Sequence, residues 1–374
     1  MMMAVRAAKQ VVTPLWVENC GGAPRARLGL RPERPFHHGP AVSPRARSEM
    51  SNSVRTAIVT THRAPVSLLD AFTKYHLALG FDNIFLFADD PADPARPAAA
   101  SDSRVVVVPR DAELRRRWQE THTYQHAGWA RAYMEREVMA RQTLNVAVAV
   151  EMARERHIDW LLHIDADELF HCRHATVAEH FSRLSHLGLA SVRYLNHEAV
   201  PERPDVVDCF REVTLFKHNP RLLHRPLPEY ESVLEAIPAC AGGYFHFYTN
   251  GKSAARVTPD LRPDGVHQFT ALPRATVTHP AILHYACCTF EIFWAKYRAL
   301  GNFGDKWFGA TDIRDAIGST HLDSRDAVGH GDRNLAAAFY QSRFVAREQD
   351  AALLIDHGLA ARVHEPSAII AAIV

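Results

Sequence analysis

No stretch of this sequence approaches the roughly eighteen consecutive apolar residues that a membrane-spanning helix needs. The apolar run Ala368–Val374 is far too short and reads as a helix end or a packed tail. The first residues lack the apolar centre of a secretory signal. A cytoplasmic protein, membrane-peripheral at most, is the expectation. Cysteine is sparse and unpaired in pattern: Cys20, Cys172, Cys209, Cys240, Cys287 and Cys288 show no C-x-x-C spacing. Cys287 and Cys288 are adjacent and could hardly both serve one ordinary disulfide, which points to a reducing compartment. There is no excess of charge of either sign. A formal net charge of +1 provides no field to draw in nucleic acid or an anionic membrane, so nucleic acid is not expected as a partner.

A glycine-rich phosphate loop is missing too. After the first strand pattern the chain reads T-T-H-R-A-P, Thr60 to Pro65, where a nucleotidyltransferase would carry glycines. Lys252-Ser253 likewise lacks the upstream glycine spacing of a P-loop.

What is present is an ordinary core-forming composition. With 47% hydrophobic and 23% charged residues over 374 positions, the chain can bury a large α/β core. Residues 1–50 stand apart: rich in Arg, Pro, Gly and Ala, with little periodicity, they read as a disordered segment or as sequence preceding a true start at Met50. From Arg55 the pattern changes. Arg55–Thr60, Asn83–Ala88, Arg104–Pro109, Trp160–Ile164 and Ala190–Leu195 are short apolar runs that predict buried strands. Helical patterns from Pro65 to Leu79, about Met134 to Arg156, and Thr176 to Leu187 alternate with them. This alternation predicts a mostly parallel sheet flanked by helices, with ligands at the strands' carboxyl ends. Shorter strands are expected at Phe210–Lys217, Gly243–Tyr248 and Ala281–Tyr285, then a helix from Thr289 to about Leu300 and a mainly helical region over 301–374.

The chemistry is concentrated in W-L-L-H-I-D-A-D-E-L-F, Trp160 to Phe170. Strand alternation puts Asp165 and Asp167 on one side of the chain and turns Glu168 away. Two carboxylates at a strand's carboxyl end suit a hard divalent cation, Mn²⁺ or Mg²⁺, which takes one or two carboxylates plus phosphate oxygens. A bare D-x-D would also arise from a strand followed by a solvated acidic turn; the apolar strand before it and the apolar pair behind it favour a site.

The ordered motifs resemble the GT-A glycosyltransferases of the family 2 and family 92 type over roughly residues 55–300. The resemblance rests on T-T-H-R-A-P-V-S-L-L-D-A-F-T-K-Y-H-L-A-L-G-F-D-N-I-F-L-F-A-D-D, on R-Q-T-L-N, on D-W-L-L-H-I-D-A-D-E-L-F, and on the later V-T-L-F-K, N-G-K-S-A-A-R, G-V-H-Q-F and L-H-Y-A-C-C-T-F-E-I-F-W-A-K-Y. The chain departs from the usual pattern in having His62-Arg63 where N-E is common. The resemblance implies a Rossmann-like GT-A domain over 54–300 that moves a sugar from a UDP- or GDP-sugar donor to an acceptor hydroxyl with inversion. It implies that Thr60 and His62 line the nucleotide pocket and that Asp89 contacts base or ribose. Gln142 and Asn145 would lie near the nucleotide or brace the D-x-D. Asp165 and Asp167 would hold metal and diphosphate, with Glu168 hydrogen-bonding behind them. Among His267, His279 and His284, His284 is the expected third metal ligand, and Lys252 and Arg256 are expected diphosphate contacts. Asp167 and Glu198 are the expected catalytic carboxylates; Glu202, Asp205 and Asp264 are also available as a base. A Golgi location would require an anchor that is missing here. The rivals are a metal-dependent nucleotidyltransferase and a non-catalytic carbohydrate- or partner-binding protein of the same fold.

Overall fold

The computed structural model describes residues 16–18, 54–92 and 98–373. Apart from a strand at Trp16–Glu18 (β1), the expectation for residues 1–50 lies outside the described residues. Strand β2 (Thr56–His62) is buried along its whole length, as a continuous apolar and β-branched run requires. Helix α1 (Val66–Leu79) starts after Pro65 and stops at Gly80, whose φ of +101° suits glycine. Strands β3 (Asn83–Ala88) and β4 (Val105–Val108) follow. The polar stretch after β4, expected to be a connection, forms α2 (Ala112–Glu120), α3 (His122–His126) and α4 (Gly128–Tyr133). Side-chain caps from Asp111 and Thr121 start the first two, which supports helix where hydrophobic periodicity is weak. The long helix α5 (Val138–Glu155) then packs on β2, and β5 (Trp160–His163) leads into β6 (Glu168–His171).

The chain continues through α6 (Val177–His186), β7 (Ser191–Val200), α7 (Cys209–Glu212), β8 (Leu215–Lys217), α8 (Glu231–Glu235) and β9 (Lys252–Arg256). A small hairpin, β10 (Pro263–Asp264) with β11 (Gln268–Phe269), precedes β12 (Arg274–His284) and α9 (Phe290–Leu300). A second hairpin, β13 (Lys306–Trp307) with β14 (Thr311–Asp312), leads to α10 (Ile313–Ile317), α11 (Thr320–Gly329), α12 (Arg333–Phe344) and α13 (Glu348–Asp356). Last come β15 (Ala360–Arg362) and α14 (Glu365–Ile373).

Eleven strands form one sheet in the order β1-β12-β7-β9-β5-β2-β3-β4, with β6 added on β12 and β8 bridging β7 to β15. The pairings β12–β7, β5–β2, β2–β3 and β3–β4 are parallel, and β9 runs antiparallel between β5 and β7. Along that order β12, β7, β5, β2, β3 and β4 therefore point one way, and the α/β, Rossmann-like expectation holds. The region beyond residue 300 is tied into the same sheet: β15 pairs with β8, and α14 packs on α1 and α7. Among the described residues no helix is long and apolar enough to cross a membrane.

Three local expectations change. Phe210–Lys217 is split into α7 and the short β8, with Asp208 capping the helix. Gly243–Tyr248 is not a strand; Tyr244, Phe245 and Phe247 are apolar because they fill two core clusters. Lys252–Arg256, for which no strand is expected from sequence, is a strand between two others, where Ala254 and Ala255 are fully buried. Its entry is steric. Gly251 has φ +72°, and a Cβ there would lie 2.1 Å from the Tyr194 carbonyl oxygen.

We expect Gly251→Ala to destabilise the protein by more than about 2 kcal/mol, since left-handed backbone and a main-chain clash add together. Urea unfolding midpoints of the two proteins measure this; equal midpoints would contradict the steric account.

Candidate functional site

Six strands direct their carboxyl ends to one edge of the sheet, and antiparallel β9 brings its amino end there too. The turn between β5 and β6 places Asp165 and Asp167 at this edge. Gln142 of α5 donates to Asp165 Oδ1 at 2.7 Å, and Lys252 Nζ, at the start of β9, lies 2.6 Å from Oδ2. Lys252 is 1% exposed and lies over the Tyr248 ring at 5.1 Å. Burial raises the Asp165 pKa, but the Lys252 ammonium outweighs it and leaves the carboxyl well below its usual range. Glu168 is fully buried; its Oε2 accepts from the Asp165 backbone N–H at 2.7 Å and stands 3.7 Å from Lys252 Nζ. Burial drives the Glu168 pKa well up, favouring the neutral form. Asp167 is held by its carbonyl, which accepts from Tyr285 N–H at 2.8 Å. Its carboxylate meets Lys296 of α9 at 3.5 Å and His284 Nε2, at the end of β12, at 3.9 Å.

A second layer fixes this turn. The adjacent Tyr75 and His76 of α1 clasp Phe170 in β6: Tyr75 Oη donates to its carbonyl at 3.1 Å, and His76 Nε2 accepts its N–H at 3.1 Å. Nδ1 of His76 donates to the Phe72 carbonyl at 2.8 Å. The ring is therefore neutral, and burial lowers its pKa to about 3. On the opposite side Trp118 Nε1 donates to Asn145, which donates to Thr61 Oγ1, both at 2.9 Å. Several buried polar atoms near the carboxylates have no hydrogen-bond partner: Glu168 Oε1, His163 Nε2, His284 Nδ1 and the Tyr248 hydroxyl. Such atoms are costly in an interior, and a bound water, ion or ligand relieves the cost.

The structure brings together Gln142, Asp165, Asp167, Lys252 and His284, and places the other expected residues elsewhere. Arg256 lies at the far end of β9, opposite Trp160 at the start of β5 and away from the edge that carries the D-x-D. Thr60 is fully buried. Strand alternation gives α5 its neighbour Thr61 instead. His62 is 3% exposed, and its carbonyl accepts from the Asp89 N–H at 2.8 Å. Asp89 is engaged by Arg141 through both carboxylate oxygens, at 2.5 and 2.8 Å, so its carboxylate braces an arginine rather than standing free for a ribose. Of the two expected catalytic carboxylates, Glu198 has the more enclosed setting. It is 3% exposed, paired with buried Lys217 at 2.7 Å, and accepts the backbone N–H groups of His246 and Phe247. In this arrangement both of its oxygens are engaged, and neither is open to an acceptor hydroxyl. Glu202 pairs with Arg362, and Asp205 and Asp264 are exposed away from the D-x-D. Of the other histidines, the His267 ring lies tilted against Tyr248 with centroids 4.5 Å apart, whereas His279 accepts from the Arg173 N–H. Lys296, Arg141 and Tyr248 carried no assignment from sequence. The signal for Lys296 was a lone lysine in the aromatic helix F-E-I-F-W-A-K-Y.

A divalent cation bridging to phosphates would need at least one carboxylate of the D-x-D with free lone pairs facing the open edge. Asp165 instead faces Gln142 and Lys252, and His284 stands 3.9 Å from Asp167. Among the described residues no group of three His, Cys, Asp or Glu side chains could hold a metal ion. As arranged, these residues do not fit Mn²⁺ or Mg²⁺.

No family model matches the sequence. Two Arabidopsis thaliana proteins named glycosyltransferase-like are similar to it. One is 30% identical over 263 residues, 63% of this chain and 54% of that protein; the other is 28% identical over 259 residues, 63% and 48% respectively. The chain spans about half the length of the curated relatives it matches. Among solved structures, core-mannan synthase A from Aspergillus fumigatus in its Mn/GDP form aligns at a TM-score of 0.24 and 13% identity, over 56% of this chain and 61% of that one. An apo UDP-glucose pyrophosphorylase aligns at 0.19 and 9% identity, over 77% and 98%. Superpositions this loose carry no weight for function.

Two outcomes follow from these interactions. Glu198→Gln strands a buried ammonium and should cost about 3–5 kcal/mol in urea unfolding; a loss of activity at unchanged stability would instead restore Glu198 as a reacting group. Burial lowers His76, His163, His246 and His267 to about 3. The unfolded chain therefore binds more protons between pH ~6.5 and ~3, and stability falls as pH drops through that window. Unfolding midpoints at pH 7.5 and 5.5 should show the decline; a flat profile would contradict it.

Proposed function

We propose that this chain is a glycosyltransferase that moves a sugar from a nucleoside-diphosphate sugar to an acceptor hydroxyl. The observation that carries the reading is the paired arrangement at the sheet's carboxyl edge: two aspartates, two lysines and a set of buried polar atoms without partners. Relatives named glycosyltransferase-like support it. In the transfer the acceptor oxygen forms a bond to the anomeric carbon while the bond from that carbon to the diphosphate oxygen breaks. The nucleoside diphosphate leaves with the bonding electrons, and the acceptor's proton passes to a base. Positive charge near the departing diphosphate stabilises it as charge develops. On this reading Lys252 and Lys296 provide that charge.

Inversion, which the family resemblance implies, calls for a carboxylate beside the acceptor hydroxyl. Glu198 is enclosed and Asp165 is committed, so we assign this end of the reaction to Asp167, the carboxylate with the loosest contacts and a 20% exposed side chain. Dependence on Mn²⁺ or Mg²⁺ is left out of the reading because Asp165 and Asp167, as arranged, are paired with Lys252 and Lys296. UDP- and GDP-sugars remain the donor candidates, and a glycan, lipid or protein the acceptor.

A screen of UDP- and GDP-sugars for donor hydrolysis tests the proposal. With the donor that turns over, Asp167→Asn should lower the rate by about a hundredfold or more, in the range for removing a positioned acid–base group, with an unchanged circular dichroism spectrum. Full activity in that variant would remove Asp167 from the reaction; turnover of no nucleotide sugar would remove the proposal.

A further inference from the structure

Each carboxyl of the D-x-D-E segment already faces a lysine within ion-pair distance. Asp165 has Lys252 at 2.6 Å, Glu168 has the same ammonium at 3.7 Å, and Asp167 has Lys296 at 3.5 Å. These lysines come from separate elements, the start of β9 and the middle of α9. Lys252 is 1% exposed and cannot swing aside without leaving Asp165 and the buried Glu168 without their cation. Lys296 differs. Its side chain is 29% exposed, its single carboxylate contact is long, and its stem crosses the Phe247 ring with Nζ 4.9 Å from the ring centre. An ammonium has three donors, so Lys296 keeps hydrogen-bonding capacity for an incoming anion. His284 and the Tyr248 hydroxyl, both buried with an unpartnered polar atom, stand beside the same carboxylates.

We propose that Lys252 and Lys296, rather than a divalent cation, supply the positive charge that a nucleoside diphosphate meets here, Lys296 by direct contact and Lys252 as a fixed charge behind Asp165. This rests on the glycosyl-transfer reading above. On this account the aspartates hold the lysines charged and in place, and the diphosphate docks without a metal bridge. Lys296 is a phosphate-contacting residue, and Lys252 is a positioning residue acting through Asp165.

Calorimetric titration of the full chain with UDP and with GDP, in excess EDTA and again with saturating Mn²⁺, tests it. The expected result is that one of the two nucleotides binds in EDTA and gains little from Mn²⁺. Lys296→Gln should weaken that binding by about tenfold or more, as for loss of a charge-assisted hydrogen bond, and Lys296→Arg should restore most of it. Thermal melting of both variants checks that they fold; if Lys296→Gln does not, the comparison with and without metal decides alone. Binding seen only with Mn²⁺ overturns the lysine inference and leaves glycosyl transfer standing. Unchanged binding by folded Lys296→Gln overturns the inference likewise. Failure of both nucleotides to bind in either condition overturns the inference and the glycosyl-transfer reading together.

Discussion

The ammonium of Lys252 is the constraint around which the carboxyl edge of the sheet is organised. A buried charge is tolerated only when it is paired and hydrogen-bonded. Lys252 meets that condition through Asp165, with Glu168 just beyond. The pair joins β9 to the turn after β5, so the antiparallel insertion of β9 and the position of the D-x-D depend on each other. Gly251 makes the insertion possible by letting the backbone pass close to the Tyr194 carbonyl. Gln142 takes the other oxygen of Asp165 and ties α5 into the same junction.

Outside that junction the packing holds the turn still. Tyr75 and His76 grip both backbone polar groups of Phe170, so α1 fixes the strand that follows the D-x-D. The Trp118–Asn145–Thr61 chain does the same from the α5 side. Lys296 arrives from α9, whose aromatic face packs into a cluster with Tyr340 and Phe344 of α12. The region beyond residue 300 thus supports the helix that carries a lysine of the site. A site with such support keeps its charges oriented before a ligand arrives, which is the condition for electrostatic stabilisation of a leaving group.

The same rule about buried charge explains why some acidic residues that looked available are structural. Asp89 sits at a strand's carboxyl end, yet it is spent on Arg141. Glu198 sits in β7 beside His284, yet Lys217 and two backbone amides enclose it. Strand-end position alone does not separate a reacting carboxylate from one that balances a buried cation; the partner does. Asp167 differs from both in keeping an open face.

The fold was largely legible in the sequence because continuous apolar strands alternate with helices, and that pattern is local. The D-x-D was legible because it follows a buried strand directly, but a turn rather than strand alternation sets the direction of its carboxylates, and Glu168, expected to face away, folds back on the Asp165 N–H beside Lys252. Gly243–Tyr248 misled because its aromatics fill a core without pleating, and Lys252–Arg256 was missed as a strand because its small residues carry no periodic signal. What the sequence determined by itself was the order of the elements and the location of two aspartates at a strand's carboxyl end. Tertiary structure alone decided which charge each carboxylate meets. Lys252 is 87 residues from Asp165 and Lys296 is 129 from Asp167. An ion pair across such separations is set by how strands insert and helices pack, and no local pattern in the chain encodes it.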